Sequence, residues 1–322
     1  VLLYAHEYLR VIFGGILCTM AYNIAASILR SLGDSRTPLY FLILSSFLNI
    51  VLDIFFIATL HMGTAGAAWA TVLSQGISAL LCFWYMFHNY NNLRLSIRDL
   101  YPDPYRILCM IQSGIPMALN QTVTAFGIMI LQSGINQFGS SVMAAYTAAS
   151  KLESLVMQPM IALGSGISTY CAQNIGARKT KRIFVGVRST MLLSLGAAIL
   201  GMALYGIASK AILRIFLSDP SPEMVHYALQ YLYTSVWFLL FLAWIFLFRN
   251  ALVGLGNGLI TIIGGVAELL CRFLCIHFLL QPFGFWCICL TNPITWIVAC
   301  SLFCGFYFRW EHQQKHCSKS AR

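Results

Sequence analysis

The stretch PLYFLILSSFLNIVLDIFFIATL, residues 38–60, decides how the rest of the chain is read. It holds no Lys or Arg and a single acid, Asp53. A helix needs about 20 mostly apolar residues to cross about 30 Å of hydrocarbon. Outward from Pro38–Leu60, eight more runs meet that criterion: Tyr8–Leu29, Ala65–His88, Ile107–Gln137, Val142–Asn174, Ile183–Phe216, Val225–Gly254, Leu259–Leu280 and Phe285–Phe308. Several exceed the minimum, which implies tilt. No ten-residue alternation argues for a barrel.

The composition agrees. The 322 residues are 59% hydrophobic and 9% charged, with a mean hydropathy of +0.76. Soluble domains carry about a quarter charged residues, so a water-soluble enzyme, a disordered chain and a nucleic-acid module are excluded. The net charge of +10 is topological. If the first run ends in the cytosol, fifteen of the twenty Lys and Arg fall in or beside cytosolic segments. They include Arg30, Arg36, Arg94, Arg98, Arg106, Arg178, Lys179, Lys181 and Arg182, and four in the tail after Phe308. The opposite loops, Thr59–Thr64, Phe138–Ser141, Leu217–Met224 and Gln281–Gly284, carry none. Such asymmetry orients a membrane protein. The eleven Cys show no metal-ligand or disulfide spacing and read as small apolar residues.

Asn89–Pro104 is the longest polar stretch and reads as a linker. The domains expected are 1–90, the last three helices of a first lobe; 91–106, a cytosolic linker; 107–310, a complete six-helix second lobe; and 311–322, a basic cytosolic tail. Two short glycine-bearing turns support a repeat: Leu29-Arg30-Ser31-Leu32-Gly33-Asp34 and Leu252-Val253-Gly254-Leu255-Gly256-Asn257, six helices apart. An even-numbered unit inserts both copies the same way, about an axis along the membrane normal. On that reading the fold is an all-α polytopic bundle, with nine transmembrane helices visible of a twelve-helix, two-lobe plan. About three helices are expected upstream of Val1, and the fragment alone is not expected to transport.

The motifs Ser31-Leu32-Gly33-Asp34-Ser35-Arg36-Thr37-Pro38, Asn49-Ile50-Val51-Leu52-Asp53 and Gly66-Ala67-Ala68-Trp69-Ala70-Thr71 resemble the multidrug and toxic compound extrusion (MATE) transporters. So do Ala144-Ala145-Tyr146-Thr147, Glu153, Gln158-Pro159 and Gln173-Asn174-Ile175-Gly176-Ala177 in the second lobe. The resemblance implies a multi-pass protein of the plasma or inner membrane. It would be an antiporter, not an enzyme, exporting organic and often cationic compounds while Na⁺ or H⁺ flows in. The implied partners are the lipid bilayer and a small organic substrate, with no nucleic acid, and the protein is expected as a monomer. No cofactor is expected beyond the coupling ion.

An acid inside a span is costly and marks a site. Asp53 lies about 22 Å along its helix from Pro38, with Asn49 at i−4 and Ser46 at i−7 on the same face. A carboxylate, an amide oxygen and hydroxyls suit Na⁺, and the same carboxylate could take a proton. Thr71, across a short hairpin, adds a hydroxyl. The resemblance assigns Asn49, Asp53 and Thr71 to the first-lobe cation site, with a further Asp from a helix outside this sequence. No metal is expected beyond Na⁺ at Asp53.

Glu268 and Arg272, spaced i,i+4 in a span, form the candidate second-lobe charge pair, either a structural ion pair or a gate remade during transport. Glu153, Tyr146, Met117 and Met157 are the candidate cavity residues, since methionine adapts to varied ligands and aromatic faces attract cations. Some relatives carry a second-lobe acid where this chain has Asn120, Gln121, Thr122 and Thr124, which argues against a Na⁺ site of that type here. The alternative function is a lipid-linked precursor flippase of the same two-lobe plan, which a wide basic cavity would favour. No nucleotide loop, nucleophile elbow or zinc motif is present.

Overall fold

A computed structural model describes residues 2–90, 93, 101–216 and 221–320. Asn91, Asn92, Arg94, Arg98 and Asp99 of the expected linker, Asp219 of the loop before Met224, and Arg322 lie outside the described residues. The chain divides into two compact units, Val1–Asp103 and Pro104–Arg322. Among the described residues every element is helical.

The first unit contains α1 (Leu2–Gly14), α2 (Ile16–Ser31), α3 (Arg36–Ile54) and α4 (Gly63–Asn89). Helix α4 packs against all three others. The run read as one span from Tyr8 to Leu29 is broken, with α1 and α2 meeting at 45°. The break falls at the Gly14–Gly15 pair, where two residues without a Cβ weaken the helix. A small core of Tyr22, Ala25, Ala26, Ala79 and Cys82 holds α2 to α4.

The second unit contains α5 (Pro104–Asn136), α6 (Ser140–Gly176), α7 (Thr180–Phe216), α8 (Pro222–Ser235), α9 (Leu239–Gly254), α10 (Gly258–Leu274), α11 (Leu280–Phe283) and α12 (Phe285–Ser320). Helix α5 packs on α10; α6 packs on α7, α8 and α9; α12 packs on α8, α9 and α10. One continuous core fills it, with Tyr205, Tyr231, Tyr307, Phe248 and Phe303 fully buried. The tail expected from residue 311 continues α12 as helix through Ser320.

Among the described residues, seven helical segments are long and apolar enough to cross a membrane, or eight if bent α1–α2 counts as one span, so nine is not reached by that criterion. The shortfall is α6, whose 37 residues are rich in Ser, Thr, Asn and Gln and include Lys151 and Glu153. Its hydroxyls are satisfied within the helix: Thr147 donates to the Met143 carbonyl at 2.8 Å, Ser154 to Ser150 at 2.8 Å and Thr169 to Ser165 at 3.3 Å. Back-bonding of this kind lets a polar helix sit among apolar ones.

The two glycine-bearing turns have the same geometry. Asp34 N–H donates to Leu29 O at 3.0 Å and Asn257 N–H to Leu252 O at 3.0 Å, each closing a six-residue loop. The residue before each donor is a left-handed glycine, Gly33 at φ +92° and Gly256 at φ +83°. This is the Schellman stop, which needs a residue without a Cβ penalty. Lys179 and Asn174 make the same bond at 2.8 Å with Arg178 at φ +58°, so the turn alone does not define a repeat. The helix that follows each glycine turn adds a second match. Helix α3 runs into a π-turn at Phe55–Thr59, and α10 runs into one at Cys275–Leu279.

Candidate functional site

Asn49 and Asp53 lie one turn apart on α3, just before its π-turn. Such turns often accompany functional positions in helices. Helix α3 packs along α4, and the Asn49 Nδ2 donates to the Thr71 Oγ1 at 3.4 Å. Thr71 in turn donates to the Ala67 carbonyl at 3.0 Å, leaving its oxygen lone pairs to accept. Asp53 is half-buried, and its Oδ1 is fully enclosed with no hydrogen-bond partner among the described residues. Ser46 is exposed and bonded back to Leu42, so it adds no ligand here. The first unit thus brings the Asn49 amide and the Thr71 hydroxyl together, one helical turn from a carboxylate oxygen that lacks a donor. An orphaned buried acceptor is costly unless a cation or proton fills its place.

At the mouth of α3, the Asp34 Oδ1 accepts from Thr37 N–H at 3.0 Å and Arg36 N–H at 3.2 Å, capping the helix. Partial burial pushes the Asp34 carboxyl up, but Thr37, Arg36 and Tyr90 outweigh it, leaving the carboxyl below its ordinary value.

In the second unit, Glu268 and Arg272 are both buried and approach to 3.6 Å. The pair is loose: Arg272 Nε and Nη1 have no partner among the described residues. The guanidinium fits against α5 at Gly127, where a Cβ would lie 2.7 Å from Nη1. Asn120 donates to the Thr261 carbonyl at 2.5 Å, joining α5 to α10.

Three of the four expected cavity residues lie against the second unit's own core. Glu153 is only 6% exposed and accepts at 2.6 Å from the Tyr231 hydroxyl, which itself accepts from Asn292 Nδ2 at 2.9 Å. Tyr146 packs edge-on against Tyr231 at 5.0 Å, and both Tyr146 and Met157 lie against the buried core. The cause is spacing: Tyr146, Glu153 and Met157, at i, i+7 and i+11, share the face of α6 that meets its neighbours in the unit. Met117 borders a cavity of about 200 Å³ with Asn120, Gln121, Arg249, Asn250, Val253 and Thr261. Sequence reasoning missed Tyr231 and Asn292. They lie 78 and 139 residues from Glu153, and nothing local marks either as its partner.

The MatE family model matches residues 1–55 and 116–283. The chain belongs to the MatE family. It is 32% identical over 228 residues to the probable multidrug resistance protein YpnP of Bacillus subtilis (strain 168), covering 71% of this chain and 50% of that protein. With the probable multidrug resistance protein NorM of Thermotoga maritima it shares 28% identity, covering 67% of this chain and 47% of that one. The chain spans about half the length of the curated relatives it matches. Among solved structures, the outward-facing conformation of a multidrug resistance MATE family transporter of the MOP superfamily matches with a TM-score of 0.86 at 23% identity. That match covers 96% of this chain and 70% of that one. A MOP superfamily transporter from Pyrococcus furiosus Vc1 matches with a TM-score of 0.85 at 22% identity, covering 96% and 69%. The chain is therefore an all-α, multi-pass plasma-membrane protein of the MatE family. Family members are transporters, not enzymes, and the flippase alternative is not favoured.

Proposed function

We propose that the protein exports small organic cations in exchange for Na⁺ or H⁺, with Asn49, Asp53 and Thr71 holding the coupling ion. The observation that carries this reading is the enclosed, unpartnered Asp53 Oδ1 one turn from the bonded Asn49–Thr71 pair. A cation there gains a full carboxylate charge where water is scarce, and a proton neutralises the same group. Transport by alternating access then needs the ion to bind the outward and inward states unequally, because a ligand shifts an equilibrium only by its differential affinity.

In this scheme residues 1–90 belong to the first lobe, 107–310 form the second, 91–106 link them, and the protein works as a monomer. The shared turn and π-turn on α3 and α10 support an internal repeat of that kind. Glu268 and Arg272 act as a second-lobe pair whose loose contact can be remade during the cycle.

The test is efflux of a fluorescent organic cation, under an imposed Na⁺ or H⁺ gradient, from vesicles carrying the twelve-helix parent that the two-lobe scheme requires. Asp53→Asn should insert normally and lose gradient-driven efflux, whereas Asp53→Glu should retain part of it. Undiminished efflux by Asp53→Asn contradicts the assignment.

A further inference from the structure

The last turns of α12 carry a feature that transport does not use. His312 and His316 are spaced i,i+4 on an exposed face, with ring centroids 4.4 Å apart. Their Nε2 atoms point at each other across 3.2 Å. We propose that this pair is a binding site for a divalent late first-row cation such as Zn²⁺, Ni²⁺ or Cu²⁺, with water completing the coordination.

The spacing carries the inference. Imidazole binds these ions at about 2.0–2.1 Å, so two nitrogens on one ion stand about 2.9 Å apart at a right angle and about 3.4 Å apart in a tetrahedron. The observed 3.2 Å falls between these limits, so a cation can enter with little rearrangement. A hydrogen bond across this gap requires the tautomer in which one Nε2 carries the proton and the other accepts. When the cation binds, that proton passes through water to the outward Nδ1 of the same ring. The neutral pair then offers two lone pairs, with no net change in its protons.

The turn beneath the pair is fixed. Trp310 packs against Phe184 of α7 at 5.9 Å, and Glu311 meets Arg188 of α7 at 3.5 Å. Lys315 holds its ammonium on the same Glu311 carboxylate, so that carboxylate is already occupied. Among the described residues no cluster of three His, Cys, Asp or Glu is placed to hold a metal. The site therefore offers two protein ligands and exchanges its ion, unlike a closed four-ligand structural zinc site. Imidazole donors favour these ions over Mg²⁺ and Ca²⁺, which take oxygen ligands.

The test uses the untagged full chain in detergent, competing for Zn²⁺ with a chromophoric chelator, beside His312→Ala, His316→Ala and the double variant. The proposal expects one Zn²⁺ per chain that excess Mg²⁺ does not displace. Each single variant should bind at least about tenfold more weakly, the scale on which even supporting partners of a metal site matter. Amide exchange in residues 309–320 should slow with Zn²⁺ in the native chain and not in the double variant. Because both side chains are exposed, the variants should fold, and their unchanged thermal midpoint verifies it. Equal Zn²⁺ binding by the native chain and the double variant overturns the site, and so does displacement by Mg²⁺ at similar concentration.

Discussion

Asn49 and Thr71 came together because their spacing encodes it: i−4 from Asp53 on one helix, and a short hairpin bringing α4 alongside. That much could be read from sequence, since one face of one helix is a local property. Whether Asp53 had a donor could not be read, because donors come from wherever the chain returns. On this account Thr71→Val keeps the shape and removes one ligand. It should raise the Na⁺ or H⁺ concentration needed for half-maximal efflux by about three- to tenfold, the worth of one hydrogen-bond-scale contact. An unchanged half-maximal concentration would remove Thr71 from the site. Asp34 makes a separate prediction. Its carboxyl is held below its ordinary value, so its capping contribution is complete above about pH 4 and is lost as pH falls through its lowered value. Asp34→Ala should cost about 1 kcal/mol of stability at neutral pH. Thermal melts in detergent should show that difference vanish in strong acid.

Among elements, α6 shows where hydropathy reads incompletely. Its hydroxyls depress the apolar score, yet they bond within the helix, so the segment is less polar to its neighbours than its composition implies. Its charged residue Glu153 was expected to face a cavity that takes organic cations. The fold instead supplies Tyr231, and Asn292 behind it, from helices no sequence pattern links to α6. Tyr231→Phe strips Glu153 of the Tyr231 hydroxyl and should lower stability by about 1–3 kcal/mol, read as a lower melting midpoint in detergent. No drop would show that the hydroxyl does not hold the carboxyl. Gly264 on α10 makes the converse point. A Cβ there would sit 2.1 Å from the buried ring of Phe303, so Gly264→Ala should push α10 from α12 and cost about 1–3 kcal/mol. A residue without a Cβ in an apolar run suits close helix approach, but sequence does not name the partner across the contact.

Over the whole molecule, apolar side chains cover far more surface than a soluble protein tolerates. On α3, Ile43, Phe47, Ile50 and Ile54 are 57–66% exposed at i, i+4, i+7 and i+11, while Asn49 reaches Thr71 on α4. The class of fold and the membrane setting were legible because they are sums over many residues, and one misplaced side chain cannot change a sum. The break in the first span was not legible, since a glycine pair inside an apolar run permits a bend without requiring one. The exposed stripe implies lipid contact, so a cysteine at Phe47 should react with a lipid-soluble maleimide and resist an impermeant one. Reaction with both would place the stripe in water. The central claim, that Asp53 couples the ion to the substrate, is tested most directly by cation entry. Adding organic substrate inside vesicles that hold the twelve-helix parent of the two-lobe scheme should evoke ²²Na⁺ or proton influx, and Asp53→Asn should abolish that influx. Equal substrate-evoked influx in the Asp53→Asn protein would contradict the account.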